Sequence, residues 1–445
     1  MASSGKRAAL IADDLTGANN TAVLLAKRGI GVTVTTAVEP TFPDACQAVV
    51  IDTDSRYAAP EEARRRARDA ARWARDNGAD ILCDRVDNLL RGNIGSEIAG
   101  LLDAAAPGTI AVVAPAFPVL RRAVSNGCLL VEGRPVTENP VAAGDPIAPV
   151  RHARIAAIVA DQWDGDVVEI GIDAVSAGEA AVAGAIERAA QAGARAVVVD
   201  CETDAHLETV ARAMARSARP VVPVDPGPLS AAYVRLVGGT DTQLKSDRPV
   251  PTGKKIVAAV GSITTLSCRQ VGHLIAARGL DPVRLDVRAL LDGRTRAAAI
   301  AGAVAECRAR LGAADVVLLT TQPADGAALV IDGLAAMEGI APHALSKRIS
   351  DGLADAALQV VESAGGAVGG AFVSGGDVTA SLFRLSGARA IDVFGDVIPL
   401  TAHVRFSGGR LDGLRLVTKG GSIGGDDAME ACLAHLARDL GLANL

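Results

Sequence analysis

Two adjacent carboxylates, Asp13 and Asp14, stand where the apolar opening of "ALIADDLTGANNTAVLLAKRG" (residues 9–29) gives way to an amphipathic stretch. Like charges so close repel, so the place is either wet or holds something that uses them. Duty in a turn or at a helix cap would explain the pair; so would a ligand rich in hydroxyl groups. Further along, the ends of apolar runs deliver Asp52, Asp54, Ser55 and Arg56, then Asp84, Arg85, Asp87, Asn88 and Arg91, and the segment after Pro115 adds Arg121 and Arg122. Ligands of open α/β sheets bind outside the carboxyl ends of the strands. A rim of this composition suits a small polyhydroxy anion: arginine grips a carboxylate with two parallel bonds, while Asp and Asn meet hydroxyls.

The second half ends its apolar runs differently, in Gly261-Ser262-Ile263-Thr264-Thr265, Thr320-Thr321, Ser374-Gly375-Gly376-Asp377 and Thr418-Lys419-Gly420-Gly421-Ser422-Ile423-Gly424-Gly425. Glycine lets backbone approach a ligand closely, and a helix opening just beyond offers N–H groups to phosphate. Lys419 adds a mobile positive charge. Neither common nucleotide fingerprint, G-x-x-x-x-G-K-[ST] or G-x-G-x-x-G, is present. Each sign has an ordinary explanation too: a solvated arginine, a tight turn, a surface lysine. Together, an anion-and-polyol half and a phosphate half describe a phosphotransferase working in an interdomain cleft.

Positioning such residues requires strands that end in one place. Short β-branched runs alternate with longer Ala/Arg/Leu segments of helical spacing along most of the chain, which predicts an α/β fold of mostly parallel sheets flanked by helices. "PEEARRRARDAARWARDNG" is a helix with Pro60 in its first turn, a solvated arginine face and a stop at Gly78. "GTDTQLKSDRPVPTGKK" has no periodicity and reads as a linker. The expected domains are therefore 1–238, for substrate, and 256–445, for nucleotide, joined by 239–255. Residues 119–150, rich in Pro, Gly and Arg, read as a long loop or small excursion.

Composition narrows the function. Of 445 residues, 49% are apolar and only 2% aromatic, and the net charge is −6, which disfavours nucleic-acid or anionic-membrane partners. Seven scattered cysteines without a C-x-x-C pair suit reduced thiols. The apolar run after Lys6 and Arg7 is too short for a signal peptide, so the expectation is a soluble, cytoplasmic protein. The six histidines show no metal spacing and no G-x-S-x-G elbow exists, so neither a protein-held metal nor a serine triad is assigned.

"IADDLTGANNTA", "DTDSR", "VDNLLRGNIGSEI", "APAFP", "GSIT", "SGGD" and "TKGGSIGG", in that order, resemble the four-carbon acid sugar kinases over nearly the whole chain. The resemblance implies an N-terminal acid-sugar domain, a C-terminal nucleotide domain, and ATP-dependent phosphorylation of the terminal hydroxyl of threonate, erythronate or 3-oxo-tetronate. It assigns substrate contacts to Asp13, Asp14, Arg56, Asp87, Asn88, Arg91 and Gly92, and Arg122 follows the "APAFP" segment. Nucleotide contacts fall on Gly261, Ser262, Gly375, Gly376, Asp377, Val378, Lys419, Gly420 and Gly421. Asp14, or else Asp13, would orient or deprotonate the hydroxyl, with Lys419 and Mg²⁺ neutralising the phosphates. Departures from the usual K-x-D-S-x-L-R-G are read as Asp84 in place of lysine and Asn88 in place of a hydroxyl. Arg121-Arg122, Ile423 and Leu400 also replace the usual residues. Losing that lysine and gaining an acid would remove about two positive charges, unless Arg85 or Arg121 compensates. A kinase for another polyhydroxy acid, or a non-catalytic binding protein of this fold, are the competing readings, and a homodimer is allowed.

Overall fold

The computed structural model describes residues 5–36, 46–145, 147–239, 252–261, 264–326, 329–421 and 423–442. Most of the expected linker, and Ser262 among the expected nucleotide contacts, lie outside the described residues. The chain divides into two compact units, Met1–Lys245 and Ser246–Leu445.

In the first unit the strands are β1 (Ala8–Ala12), β2 (Val32–Thr35), β3 (Ala48–Asp52), β4 (Ile81–Arg85), β5 (Ile110–Val113), β6 (Arg122–Ser125), β7 (Cys128–Val131), β8 (Arg134–Pro135), β9 (Val167–Ile170), β10 (Ala196–Val199) and β11 (Val221–Asp225). Its main sheet runs β2-β3-β1-β4-β11-β5-β10-β9, with every pairing parallel. Strands β1, β3 and β4 are buried along their whole length, as helices on both faces of a parallel sheet require. Their register (Ala12 beside both Asp52 and Arg85) brings three carboxyl ends side by side.

The helix Pro60–Asp76 buries only alanines, Ala63, Ala67, Ala70, Ala71 and Ala74, and leaves its arginines toward solvent. It packs so closely on the helix Ile94–Ala104 that a Cβ on Gly100 would lie 2.2 Å from the Arg64 carbonyl oxygen. Residues 122–135 are the excursion, a three-stranded antiparallel sheet β6-β7-β8. Two-residue turns, Asn126-Gly127 and Glu132-Gly133, make its hairpins, all four residues having positive φ.

The second unit contains β12 (Lys255–Val260), β13 (Val283–Arg284), β14 (Val316–Thr320), β15 (Val368–Ser374), β16 (Ala390–Gly395), β17 (Thr401–Ser407) and β18 (Arg415–Lys419). They are ordered β13-β14-β12-β15-β18-β17-β16. Only β17 runs antiparallel to its neighbours. Its core joins Ile256, Val260 and Phe372 of the sheet to Met429, Leu433 and Leu436 of the helix Ala428–Asp439. Leu400 adopts φ +66°, the conformation that favours glycine, the residue expected there from the family pattern. Among the described residues no helix is long and apolar enough to cross a membrane.

Candidate active site

Strand β1 ends directly in the two carboxylates. Asp14 caps the next helix, Leu15–Lys27, its Oδ1 accepting from Gly17 N at 2.9 Å. Capping duty is therefore real, but it uses one oxygen. The same Oδ1 accepts from Arg56 Nη2 at 2.6 Å and from Arg85 Nη1 at 2.9 Å. Oδ2 accepts nothing from the described residues, and the side chain keeps 25% of its surface exposed, against 2% for Asp13. Asp13 is gripped from two sides: Arg56 donates to both its oxygens, at 2.7 and 3.0 Å, and Arg85 Nη1 donates to Oδ1 at 2.7 Å. Burial works against an ionised Asp14, but Arg56 and Arg85 outweigh it and hold the carboxyl below its ordinary value.

A second carboxylate–arginine pair adjoins the first. Arg91 donates to both oxygens of Asp87, at 2.7 and 3.2 Å, and Arg56 Nη2 lies 3.7 Å from Asp87. Burial would raise Asp87, yet Arg56 and Arg91 hold it far below the usual carboxylate range. Arg91 also reaches Asp145 Oδ2 at 3.4 Å, and Tyr57 Oη donates to that oxygen at 2.9 Å. Asn88 is half-buried in the same turn.

The scaffold under these groups is strained where it turns. Asp54, Leu90 and Arg121 all have positive φ, and they follow β3, β4 and β5 respectively. Gly92, at φ +99°, passes so close to Arg56 that a Cβ would meet its Cγ and carbonyl oxygen at 3.2 Å. Asn93 Nδ2 holds the carbonyls of Ser55 and Ala58, both at 2.9 Å, and Glu97 Oε1 accepts from Ser55 Oγ at 2.5 Å. Burial pushes Glu97 up to about 8.

In the second unit Gly375, at φ +118°, precedes the helix Gly376–Ser386, which has no side-chain cap. The first intrahelical bond is from Thr379 N to Gly375 O, so the N–H groups of Gly376, Asp377 and Val378 lie ahead of the ladder, in the position that draws anions. The Val378 side chain, 1% exposed, is in the core. A Cβ on Gly261 would meet it at 2.6 Å, so Gly261 is glycine for packing. Lys419 ends β18 with Nζ donating to the carbonyls of Gly420, at 2.7 Å, and Ile423, at 3.3 Å. Burial lowers it to about 8. The glycine loop is anchored from behind: Thr264 and Ser267 hydroxyls donate to Gly421 O at 2.9 and 2.8 Å, and Gln270 Nε2 donates to Ile423 O and Gly425 O at 2.9 and 2.7 Å.

Two family models match the chain in succession. Residues 8–233 match the sugar-binding N-terminal domain family and residues 257–429 the nucleotide-binding C-terminal domain family. The chain is 37% identical to a D-erythronate kinase of Heliobacterium modesticaldum over 96% of each sequence. The chain belongs to the four-carbon acid sugar kinase family. A D-threonate kinase of Salmonella typhimurium is 27% identical over 96% of this chain and 97% of that one. A crystallised protein from Salmonella typhimurium LT2, 22% identical, shares the fold with a TM-score of 0.80 over 96% of this chain and 98% of its own.

Within this acid sugar kinase, one departure from the family pattern needs correcting. Counted back from Asp87, the lysine of K-x-D falls on Arg85, not on Asp84. Neighbours on a strand face opposite ways. Arg85 turns to Asp13 and Asp14, whereas Asp84 is 1% exposed and its Oδ2 has no hydrogen-bond partner among the described residues. Burial, then Glu97 and Asp13, drives Asp84 toward its neutral form, so the expected loss of two positive charges does not occur. Arg121 sits outside this cluster as a left-handed turn residue. Arg122 is half-buried, donates to Leu120 O, and lies near enough to Asp87 to feel its charge.

Sequence reasoning assigned no role to Glu97, Asn93, Tyr57, Asp145 or Gln270. Glu97 carried a usable signal, an acid in the first turn of a helix that follows a glycine turn. Gly17 did too: a Cβ there would lie 1.6 Å from Arg85 Nη1. Gly17→Ala is therefore expected to displace the buried guanidinium from Asp13 and Asp14, cut kcat/KM for the acid by about 100-fold and lower the melting temperature, because breaking a buried ion pair outweighs better helix propensity. Steady-state kinetics beside a thermal melt check it; unchanged kcat/KM would mean that the position of Arg85 does not matter.

Proposed function

We propose that this protein uses ATP to phosphorylate the terminal hydroxyl of a four-carbon sugar acid of the erythronate, threonate or 3-oxo-tetronate class. The observation that carries the proposal is Asp14 Oδ2, an ionised, accessible oxygen on a carboxylate whose other oxygen three donors fix. Such an oxygen can accept the substrate hydroxyl and aim it without being a strong base, which suffices for a transfer through a loose transition state. Arg91 and Arg122 would take the substrate carboxylate and Asp87 and Asn88 its inner hydroxyls, while Arg56 and Arg85 hold Asp13 and Asp14 in place. Gly92 keeps the turn tight against Arg56.

Residues 1–238 would thus serve the acid and 256–445 the nucleotide. There the N–H groups of Gly376, Asp377 and Val378, with Lys419, Gly420 and Gly421, would receive the phosphates, and Ser262 belongs to the same proposal. Gly261 contributes by packing. Among the described residues no three His, Cys, Asp or Glu side chains gather to cage a metal. Mg²⁺ carried on ATP needs only one or two carboxylates besides phosphate oxygens, and Asp377 is in the right turn to supply one. When bound, the ion would offset phosphate charge. Use of ATP would put the work in the cytoplasm.

The test is ADP release with Mg-ATP over a panel of tetronates, 3-oxo-tetronates and longer aldonates. Turnover is expected with a tetronate, D-erythronate being the first to try. Measurable ATP binding without turnover of any four-carbon acid would refute the substrate class.

A further inference from the structure

The turn that carries Arg56 is clamped between the end of β1 and the helix Ile94–Ala104. On the strand side, Ser55 N and Arg56 N donate to Asp13 O at 3.0 and 3.2 Å, and Thr53 N donates to Ala12 O at 2.9 Å. On the helix side, two residues four apart reach the turn. Asn93, at the N-cap, holds the backbone carbonyls of Ser55 and Ala58. Glu97, one turn further on, meets the Ser55 hydroxyl.

The hydroxyls of this turn are one proton short. Three contacts run in series: Glu97 Oε1 to Ser55 Oγ at 2.5 Å, Ser55 Oγ to Thr53 Oγ1 at 2.8 Å, and Thr53 Oγ1 to Ala12 O at 2.9 Å. Each contact needs a proton, and each hydroxyl has only one to give. A carbonyl oxygen donates nothing, so Thr53 supplies the proton at Ala12. Ser55 must then donate to Thr53, and the contact with Glu97 is left for the acid itself to fill. As an ionised acceptor Glu97 would draw the Ser55 proton to itself, and one of the other two contacts would set oxygen against oxygen. No solvent makes up the difference at the inner end, because Ser55 is fully buried and Glu97 is 2% exposed.

The charges around Glu97 favour the same state. Asp13 and Asp84 face it with carboxyl groups, while the two guanidiniums within reach, Arg56 and Arg85, are bonded to Asp13 and Asp14. The helix Pro60–Asp76 turns alanines toward it, with Arg64 paired to Asp103 out at the surface, and the helix Ile155–Ala160 has no ionisable side chain. Burial, then Asp13, therefore dominates its ionisation.

We propose that Glu97 keeps its proton in the folded protein and, as a neutral acid, fixes the turn that presents Arg56, which makes it a positioning residue for the acid site. The kinetic side of this inference rests on the sugar-acid reading above. Protonated, Glu97 donates through Ser55 and Thr53 to the end of β1 in one unbroken chain. Ionised, it gives its proton to solvent, turns the Ser55 proton round, breaks that chain and sets a charge beside Asp13. Arg56 then loses the fixed seat from which it grips Asp13 and Asp14.

Thermal melts of the parent and Glu97→Gln across pH test the proton itself. Glutamine donates to Ser55 as the neutral acid does, but never titrates. In the parent, the unfolded chain gives up this proton near 4.5 and the folded chain only near 8. Between those values folding binds a proton, so stability falls as pH rises. Glu97→Gln lacks that fall, and its melting temperature is expected to gain steadily on the parent's between about pH 5 and 8. A difference that stays level would mean an ionised Glu97 and would overturn the proposal.

Kinetics test the positioning. At saturating MgATP, where phosphate would keep Lys419 charged, kcat/KM of the parent for a tetronate is expected to fall above about pH 8, and that of Glu97→Gln to hold. Glu97→Leu removes the donor and should lose about tenfold or more at neutral pH, with Glu97→Gln restoring kcat/KM to within about threefold of the parent. A Glu97→Leu protein that melts within about 3 °C of the parent and keeps kcat/KM within about twofold would show that Glu97 does not position Arg56. Should Glu97→Leu fail to fold, the pH profile of Glu97→Gln decides, and an unchanged bend there counts against the proposal. If the parent turns over no tetronate, only the substrate class fails. The melts still decide the proton, and crystal structures of the parent on either side of about pH 8 decide whether Arg56 moves with it.

Discussion

Asp14→Asn is expected to lower kcat about a thousandfold, a loss of about 4 kcal/mol in the transition state, with little change in stability. The asparagine oxygen can still accept from Gly17 N, so the cap on Leu15–Lys27 survives. Arg56 and Arg85 keep Asp13, and Arg56 keeps Asp87, so neither guanidinium is stranded. What disappears is the ionised Oδ2, which accepts from no described residue and which the proposed function gives to the substrate hydroxyl. Asp13→Asn should behave differently, because Asp13 is 3% exposed and both its oxygens are taken by arginine. It should cost stability as well as rate, since removing one partner leaves buried charge uncompensated. Kinetics and a thermal melt on the two variants separate the roles. A kcat for Asp14→Asn within about threefold of the parent would remove Asp14 from the chemistry.

The alternation of strand and helix was legible because each central strand is buried on both faces and so reads as an uninterrupted apolar run. Where a strand ends, that signal stops helping. Asp84 and Arg85 are both polar and both at the end of β4, but counting K-x-D back from Asp87 gives Arg85 the lysine's place, and the two-residue period of the strand turns the two side chains apart. Setting Asp84 in the lysine's place inverted the local charge; Asp84, buried and driven toward its neutral form, and Arg85, equally buried but bonded to Asp13 and Asp14, restore it. The hairpin at 126–127 was visible in principle, since Asn-Gly between short apolar runs is a strong two-residue turn signal. Its surroundings in Pro, Gly and Arg masked it as loop. Gln270 and Asn93 could not be read at all. Each acts by donating a side-chain amide to backbone carbonyls of another loop, and nothing in local sequence marks which carbonyls will arrive there.

Lys419→Met is expected to cut kcat/KM for ATP by about 100- to 1000-fold while making the protein more stable, and the opposed signs are the point. The side chain is 2% exposed, and burial takes its pKa from 10.5 to about 8, worth about 3 kcal/mol against the charged form. Between about pH 8 and 10.5 the unfolded chain holds a proton at this lysine that the folded chain has lost. Stability of the parent therefore rises with pH across that window, and below it the full cost of the buried cation is carried. Methionine fills the same space without the charge, so Lys419→Met should melt higher at pH 7 and show no such rise. The function runs the other way. In the free enzyme the cation is lost as pH climbs through about 8, so kcat/KM for ATP should fall above that point. Lys419→Arg, permanently charged, should lose this bend whatever its absolute rate. Lys419 Nζ already holds the carbonyls of Gly420 and Ile423, and the proposed function adds an arriving phosphate as its further partner. Unchanged ATP kinetics in Lys419→Met would show that the lysine is structural, and an unchanged melting temperature would show that its burial costs nothing.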